Sequence, residues 1–350
     1  MQPTRTGRCR ASDGTELHFE EYGSGTPIVL CNGVVCTIGP YWRFLIAHLA
    51  RLGRVIAWDY RGHGKSAVPA DIESCGIDVH ARDLRCVLDA TGVETATLIG
   101  HSMGCQVILE AYRQFPERIR GLVPICGTYG HPYRTLYGND LMERFYDPML
   151  RELRKYHESI ARIADLVKRT PIPQLIARTG AVHWYLAPWS AMEDYFEHVF
   201  SMNTEFLLTV VRRMGEHTAK DVLPRIEVPT LVIAGEKDPF TPPSVAWEMH
   251  RDIRGSEILV IPNGTHVAQI EHPDLVGLRV EKFLLDHALL DPAPARGARR
   301  LARGNGRARA AGPARASPRP VRRPGSPRPR RAPKPGGASK HALRRASRPS

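Results

Sequence analysis

The 350-residue sequence predicts an α/β protein: a mostly parallel sheet flanked by helices, interrupted late by a helical insertion and followed by a basic C-terminal tail. Three observations carry that reading. Short apolar runs alternate with helix-like patterns, the strand signal stops between about residues 130 and 222, and the composition changes abruptly near residue 291. Continuous apolar runs belong to strands shielded on both faces, and helices between successive strands supply the shielding.

The runs at residues 17–22, 27–31, 54–58, 97–99, 122–125, 230–234 and 258–261 have strand length, and turn residues follow them. Helical patterns fall between them at 41–52, 77–91 and 105–115. The second places Ile77, Ala81, Leu84, Val87 and Leu88 on one face, and the third stops before Pro116. A last helix is expected over 274–289. The boundaries that follow are 1–129 for the first part of the core, 130–222 for a helical cap, 223–290 for the second part and 291–350 for the tail.

Residues 129–206 hold 13 of the 25 Phe, Trp and Tyr residues, among them Tyr133, Tyr137, Phe145, Tyr146, Trp184, Tyr185, Trp189, Tyr195, Phe196, Phe200 and Phe206. Ordinary helix packing accounts for large aromatics of this kind. The alternative is a lid whose inner face binds an apolar substrate.

Charge separates the body from the tail. Residues 291–350 contain 18 of the 49 Lys and Arg and one acid, Asp291, a net +17; residues 1–290 hold 31 basic and 35 acidic residues, a net −4. The high isoelectric point is therefore no evidence that the folded part binds nucleic acid or an anionic surface. The tail is Arg, Pro, Ala, Gly and Ser with almost no large apolar residue, so burial cannot offset its chain entropy, and it is expected to be disordered. Non-specific attraction to polyanions such as nucleic acid or acidic lipid is the activity open to it; a coding sequence read past its end yields the same composition.

The first 30 residues lack the apolar core of a secretory signal, and no run reaches the roughly 18 apolar residues of a membrane helix. A cytoplasmic location is the expectation. Cys9, Cys31, Cys36, Cys75, Cys86, Cys105 and Cys126 are odd in number and scattered, which fits buried reduced thiols better than a disulfide framework. No cofactor or metal is called for, Cys31 and Cys36 being too isolated for a metal site.

Gly100-His101-Ser102-Met103-Gly104 follows an apolar run directly and precedes a helix. That is the context in which G-x-S-x-G forms a sharp turn that exposes a serine, with small residues two before and two after so that strand and helix can approach. The helix N-terminus behind Ser102 favours negative charge where an oxyanion would develop.

This arrangement resembles the α/β-hydrolase superfamily over most of residues 14–287. Other pieces recur in order: residues 27–34 are similar to the strand and oxyanion loop, 58–66 to the D-x-R-G-x-G-x-S turn, 228–238 to the strand that delivers the triad acid, and Asn263-Gly264-Thr265-His266 to the histidine loop. The resemblance implies Ser102 as nucleophile, His266 as general base and Asp238 as the acid orienting it, in the chain order of this fold. Glu236 is the rival acid. It also implies an oxyanion hole from the backbone amides of Met103 and Val34.

Two residues depart from the family pattern. Asn32 stands where histidine is common, and Cys105 where glycine often follows the elbow. Both oxyanion donors are main-chain groups, so neither change removes the chemistry, but Asn32, Val35 and Cys36 are expected to line the pocket in their own way. His63 and His101 are read as structural.

The resemblance implies hydrolysis of a carboxylic ester of a small or medium, largely apolar substrate through an acyl-enzyme. Hydrolysis of a carbon–carbon bond in a vinylogous diketone and perhydrolase chemistry use the same triad and stay open. Halide and epoxide chemistry are disfavoured because they place Asp at the elbow. A non-catalytic binding module is the reading from a different class, since fold does not settle function.

The strand and helix patterns and every triad candidate precede Asp291. Deleting residues 291–350 is therefore expected to leave the melting temperature and the kcat/KM for a small soluble ester unchanged, measured side by side with the full chain.

Overall fold

The computed structural model describes residues 1–135, 141–168, 170–172, 175, 186–187 and 189–290. The tail expected at 291–350, and Tyr137, Trp184 and Tyr185, lie outside the described residues.

Eight strands form one sheet: β1 (Arg5–Arg10), β2 (Glu16–Gly23), β3 (Pro27–Cys31), β4 (Arg54–Trp58), β5 (Ala96–His101), β6 (Ile119–Ile125), β7 (Leu231–Gly235) and β8 (Glu257–Ile261). Their order is β1-β2-β4-β3-β5-β6-β7-β8. The β1–β2 and β2–β4 pairs are antiparallel and all the others parallel. Strand β1 is the one strand not expected from sequence. Its six residues include three arginines and pair on one side only, so it carries no apolar run to betray it.

Period-two alternation assigns side chains to two cores. On β3, Val29 and Cys31 point to the face covered by α2 (Ile77–Ala90) and α3 (Met103–Gln114), with Leu84, Val87, Leu88, Val107 and Ile108. Ile28 and Leu30 point to the opposite face, against Trp42, Leu45 and Leu49 of α1 (Gly39–Leu49) and Val276, Val280 and Phe283 of the terminal helix Pro273–Asp286. Each fully buried side chain of this size contributes about 1.5–3 kcal/mol relative to exposure.

Between β6 and β7 the described residues contain helices and no strand: α4 (Leu141–Arg154), α5 (His157–Val167), α6 (Trp189–Ser201) and α7 (Thr204–Glu216), after a short turn at Pro132–Thr135. Helix α8 (Pro243–Asp252) follows β7, opened by Pro243 at its first turn, where the missing N–H costs nothing.

The topology decides where a site can form. From β3 the chain steps to β4 on one side, whereas β5 lies on the other side, so the connections diverge at the carboxyl ends of β3 and β5 and leave a crevice there. Two glycines permit the approach of α3 to that crevice. A Cβ on Gly100 would lie 2.4 Å from the Gly104 carbonyl oxygen, and one on Gly104 would lie 2.2 Å from that of Cys31. Both obstacles are backbone. Gly104→Ala is therefore expected to cost about 3 kcal/mol or more in denaturant unfolding. Gly39→Ala, where a Cβ meets nothing within 4 Å, is expected to be near neutral.

Candidate active site

Ser102 sits between β5 and α3 with φ 54° and ψ −117°, a conformation that costs about 1–3 kcal/mol for a residue with a Cβ. The surroundings impose it. The Ser102 amide donates to the Ile125 carbonyl at 3.1 Å, and the Ser102 carbonyl accepts from Cys105 N at 3.0 Å. The strained turn pushes the side chain out of the core, so Ser102 is half-exposed while Gly100, His101, Met103 and Gly104 are buried.

Two later loops reach the same point. His266 Nε2 lies 2.9 Å from Ser102 Oγ, and its Nδ1 lies 2.9 Å from Asp238 Oδ2. An ionised carboxylate only accepts, so the proton sits on Nδ1 and Nε2 is left to accept the Ser102 hydroxyl proton. Burial opposes the charge on Asp238, but His266 and hydrogen bonds from His266 and Thr241 outweigh it and hold the carboxyl below its ordinary range. Phe240 N (2.9 Å), Thr241 N (3.0 Å) and Thr241 Oγ1 (2.6 Å) donate to the same carboxylate.

Glu236 does not reach His266. It is exposed, and its Oε2 accepts from Asn263 N at 2.8 Å, so it ties the histidine loop to the end of β7 from outside.

The loop after β3 closes the other side. Val34 and Met103 both line the cavity, and among the described residues neither amide donates to a backbone carbonyl outside the regular elements. Met103 opens α3, where the first N–H groups have no intrahelical partner. Val35 holds φ 58°, costly for a β-branched residue, and sets the curvature of this loop.

Of the three loop residues expected to line the pocket, only Cys36 does so. Asn32 is fully buried and turned away: it accepts from Trp42 Nε1 at 2.5 Å and donates to the Trp58 carbonyl at 2.7 Å. A side chain that can donate and accept at once anchors the loop to β4 and α1.

His101 holds the histidine loop. Its Nε2 donates to the His266 carbonyl at 2.8 Å and the Tyr41 hydroxyl lies 3.0 Å from its ring, while burial holds its pKa down to about 3, so it stays neutral. His63 is likewise neutral, its pKa pushed by burial to about 4, and lies in the core against Tyr60 and Phe206.

Over Ser102 lies a cavity of about 370 Å³, within the usual range for small-molecule sites. Its outer wall comes from the insertion: Tyr133, Tyr146, Tyr195, Phe196, Val211 and Met214. Tyr133 and Tyr146 stack with centroids 3.5 Å apart. Among the described residues, Phe206 is core and Phe145 exposed, and neither lines the cavity. Among the described lining residues none is Asp, Glu, Lys or Arg.

Tyr41, Gln106, Phe240 and Thr241 also line the cavity and were not singled out from the sequence. The signal available was Asp238 followed three residues later by Thr241, a spacing suited to side-chain capping of a turn.

A family model described as alpha/beta hydrolase fold matches residues 26–273. The human serine hydrolase BPHL is 25% identical over 280 residues, covering 78% of this chain and 84% of that protein. The 2-hydroxymuconate semialdehyde hydrolase of a Pseudomonas species is 26% identical over 282 residues, covering 80% and 94%. Among solved structures, an esterase from Thermogutta terrifontis superposes with a TM-score of 0.64 at 25% identity, covering 81% of this chain and 99% of that one.

Asn32→Leu is expected to destabilise the fold by about 2–6 kcal/mol in urea unfolding, because the Trp42 N–H and the Trp58 carbonyl each lose a buried partner at about 1–3 kcal/mol apiece.

Proposed function

Because the chain belongs to the alpha/beta hydrolase fold family, we propose that it is a serine hydrolase that cleaves carboxylic esters of small or medium, largely apolar acids. The observation that carries this reading is the continuous chain of hydrogen bonds from Ser102 through His266 to Asp238, at the foot of an apolar cavity.

In this mechanism His266 Nε2 takes the Ser102 proton as Oγ attacks the ester carbonyl. Asp238 stabilises the imidazolium and keeps its tautomer. The oxyanion faces the amides of Val34 and Met103, each such donor contributing about 3 kcal/mol to the transition state. His266 then protonates the leaving alcohol, and water releases the acid by the same route in reverse. The insertion acts as a cap, its tyrosines and Phe196 holding the acyl group.

A cavity without an ionised side chain among its described lining selects against charged substrates, because a carboxylate buried there would have no cationic partner. This weighs against an anionic dienoate as substrate for carbon–carbon cleavage.

Three measurements test the reading on purified protein. Ser102→Ala is expected to lower kcat for a p-nitrophenyl ester by about a millionfold without changing the melting temperature. Asp238→Asn is expected to lower kcat by about 10⁴-fold with substrate binding spared, and Glu236→Gln to leave it unchanged. A neutral butyrate ester is expected to exceed the matching hemisuccinate in kcat/KM by at least about tenfold. Retained turnover in Ser102→Ala, or preference for the anionic ester, contradicts the proposal.

A further inference from the structure

Two thiols stand apart from the rest. Cys31, Cys36, Cys75, Cys105 and Cys126 are buried, whereas Cys9 on the edge strand β1 and Cys86 on α2 are half-buried and lie close together where β1 meets α2. Cys86 Sγ also donates to the Arg10 carbonyl at 3.1 Å, one residue along from Cys9. Neither cysteine lines the cavity.

The surroundings hold this pair in place from both sides. Asp13, in the turn between β1 and β2, accepts from Arg61 Nη1 at 2.7 Å. The same guanidinium donates through Nε (2.7 Å) and Nη2 (2.6 Å) to Asp83, three residues before Cys86 on α2. Arg61 and Asp83 are buried, so one planar fork ties the β1–β2 hairpin to the helix beneath it. Little chain entropy is left to lose when a bond forms between the two sulfurs.

We propose that Cys9 and Cys86 are a redox modification site, closing to an intramolecular disulfide under two-electron oxidants such as hydrogen peroxide and reopening with thiols. The thiolate of one cysteine attacks one peroxide oxygen, the O–O bond breaks, and the hydroxide that leaves is protonated to water. The other thiol then gives up its proton and attacks the sulfenic sulfur of its partner, the S–O bond breaks, and a second water leaves. Two thiols and one peroxide become one disulfide and two waters. The bond staples the sheet edge to α2 and restricts the unfolded chain between residues 9 and 86.

The test uses the reduced full chain treated with hydrogen peroxide, alkylated under denaturing conditions and mapped as non-reduced peptides. The expected result is a linked pair of peptides containing Cys9 and Cys86, lost on dithiothreitol treatment and absent from Cys9→Ser and Cys86→Ser. Oxidation that yields only sulfinic or sulfonic acids, or a cross-link between another pair of cysteines, overturns the proposal.

Discussion

Everything at the site depends on how closely α3 can approach the carboxyl ends of β3 and β5. Backbone atoms of Cys31 and Asn32 occupy the space where a side chain at residue 104 would be, and Gly100 faces the same helix turn. That contact forces Ser102 into its strained conformation, lifts its hydroxyl out of the core, and points the first amides of α3 toward the crevice. With bulkier residues at 100 and 104 the helix could not start where it does, and neither the hydroxyl nor the Met103 amide would face the cavity.

The remaining groups are held by contacts that do no chemistry themselves. Asn32 pins the loop that presents Val34, His101 holds the carbonyl of His266, and Thr241 with two backbone amides fixes the Asp238 carboxylate. The first two tie together segments apart in sequence, and the third closes the local turn after Asp238. In a site where reacting atoms must stay within a few tenths of an ångström, such supports carry the preorganisation.

The parallel strands and the flanking helices were legible because their signal is local: uninterrupted apolar runs and a 3.6-residue stripe on 77–91. The elbow was legible because the glycines and the serine occur in one pentapeptide between a strand and a helix. Strand β1 was not, since an edge strand of Arg5, Arg8 and Arg10 buries almost nothing. Nor was the division of the aromatics. Tyr146 lines the cavity and Phe145 beside it is exposed, a difference of one position on α4 that only the placement of the helix decides. The direction of Asn32 was misjudged for a related reason: its partners, Trp42 and the Trp58 carbonyl, belong to elements brought together only by the fold.

The most direct test of the central claim is covalent capture of the nucleophile. Folded full-length protein is incubated with a neutral alkyl fluorophosphonate, and the adduct is located by peptide mass mapping. The account predicts a single stoichiometric adduct on Ser102, formed much more slowly in His266→Ala because the hydroxyl then lacks its base. An unmodified Ser102 peptide under conditions that label known serine hydrolases, or an adduct on a different residue, would contradict it.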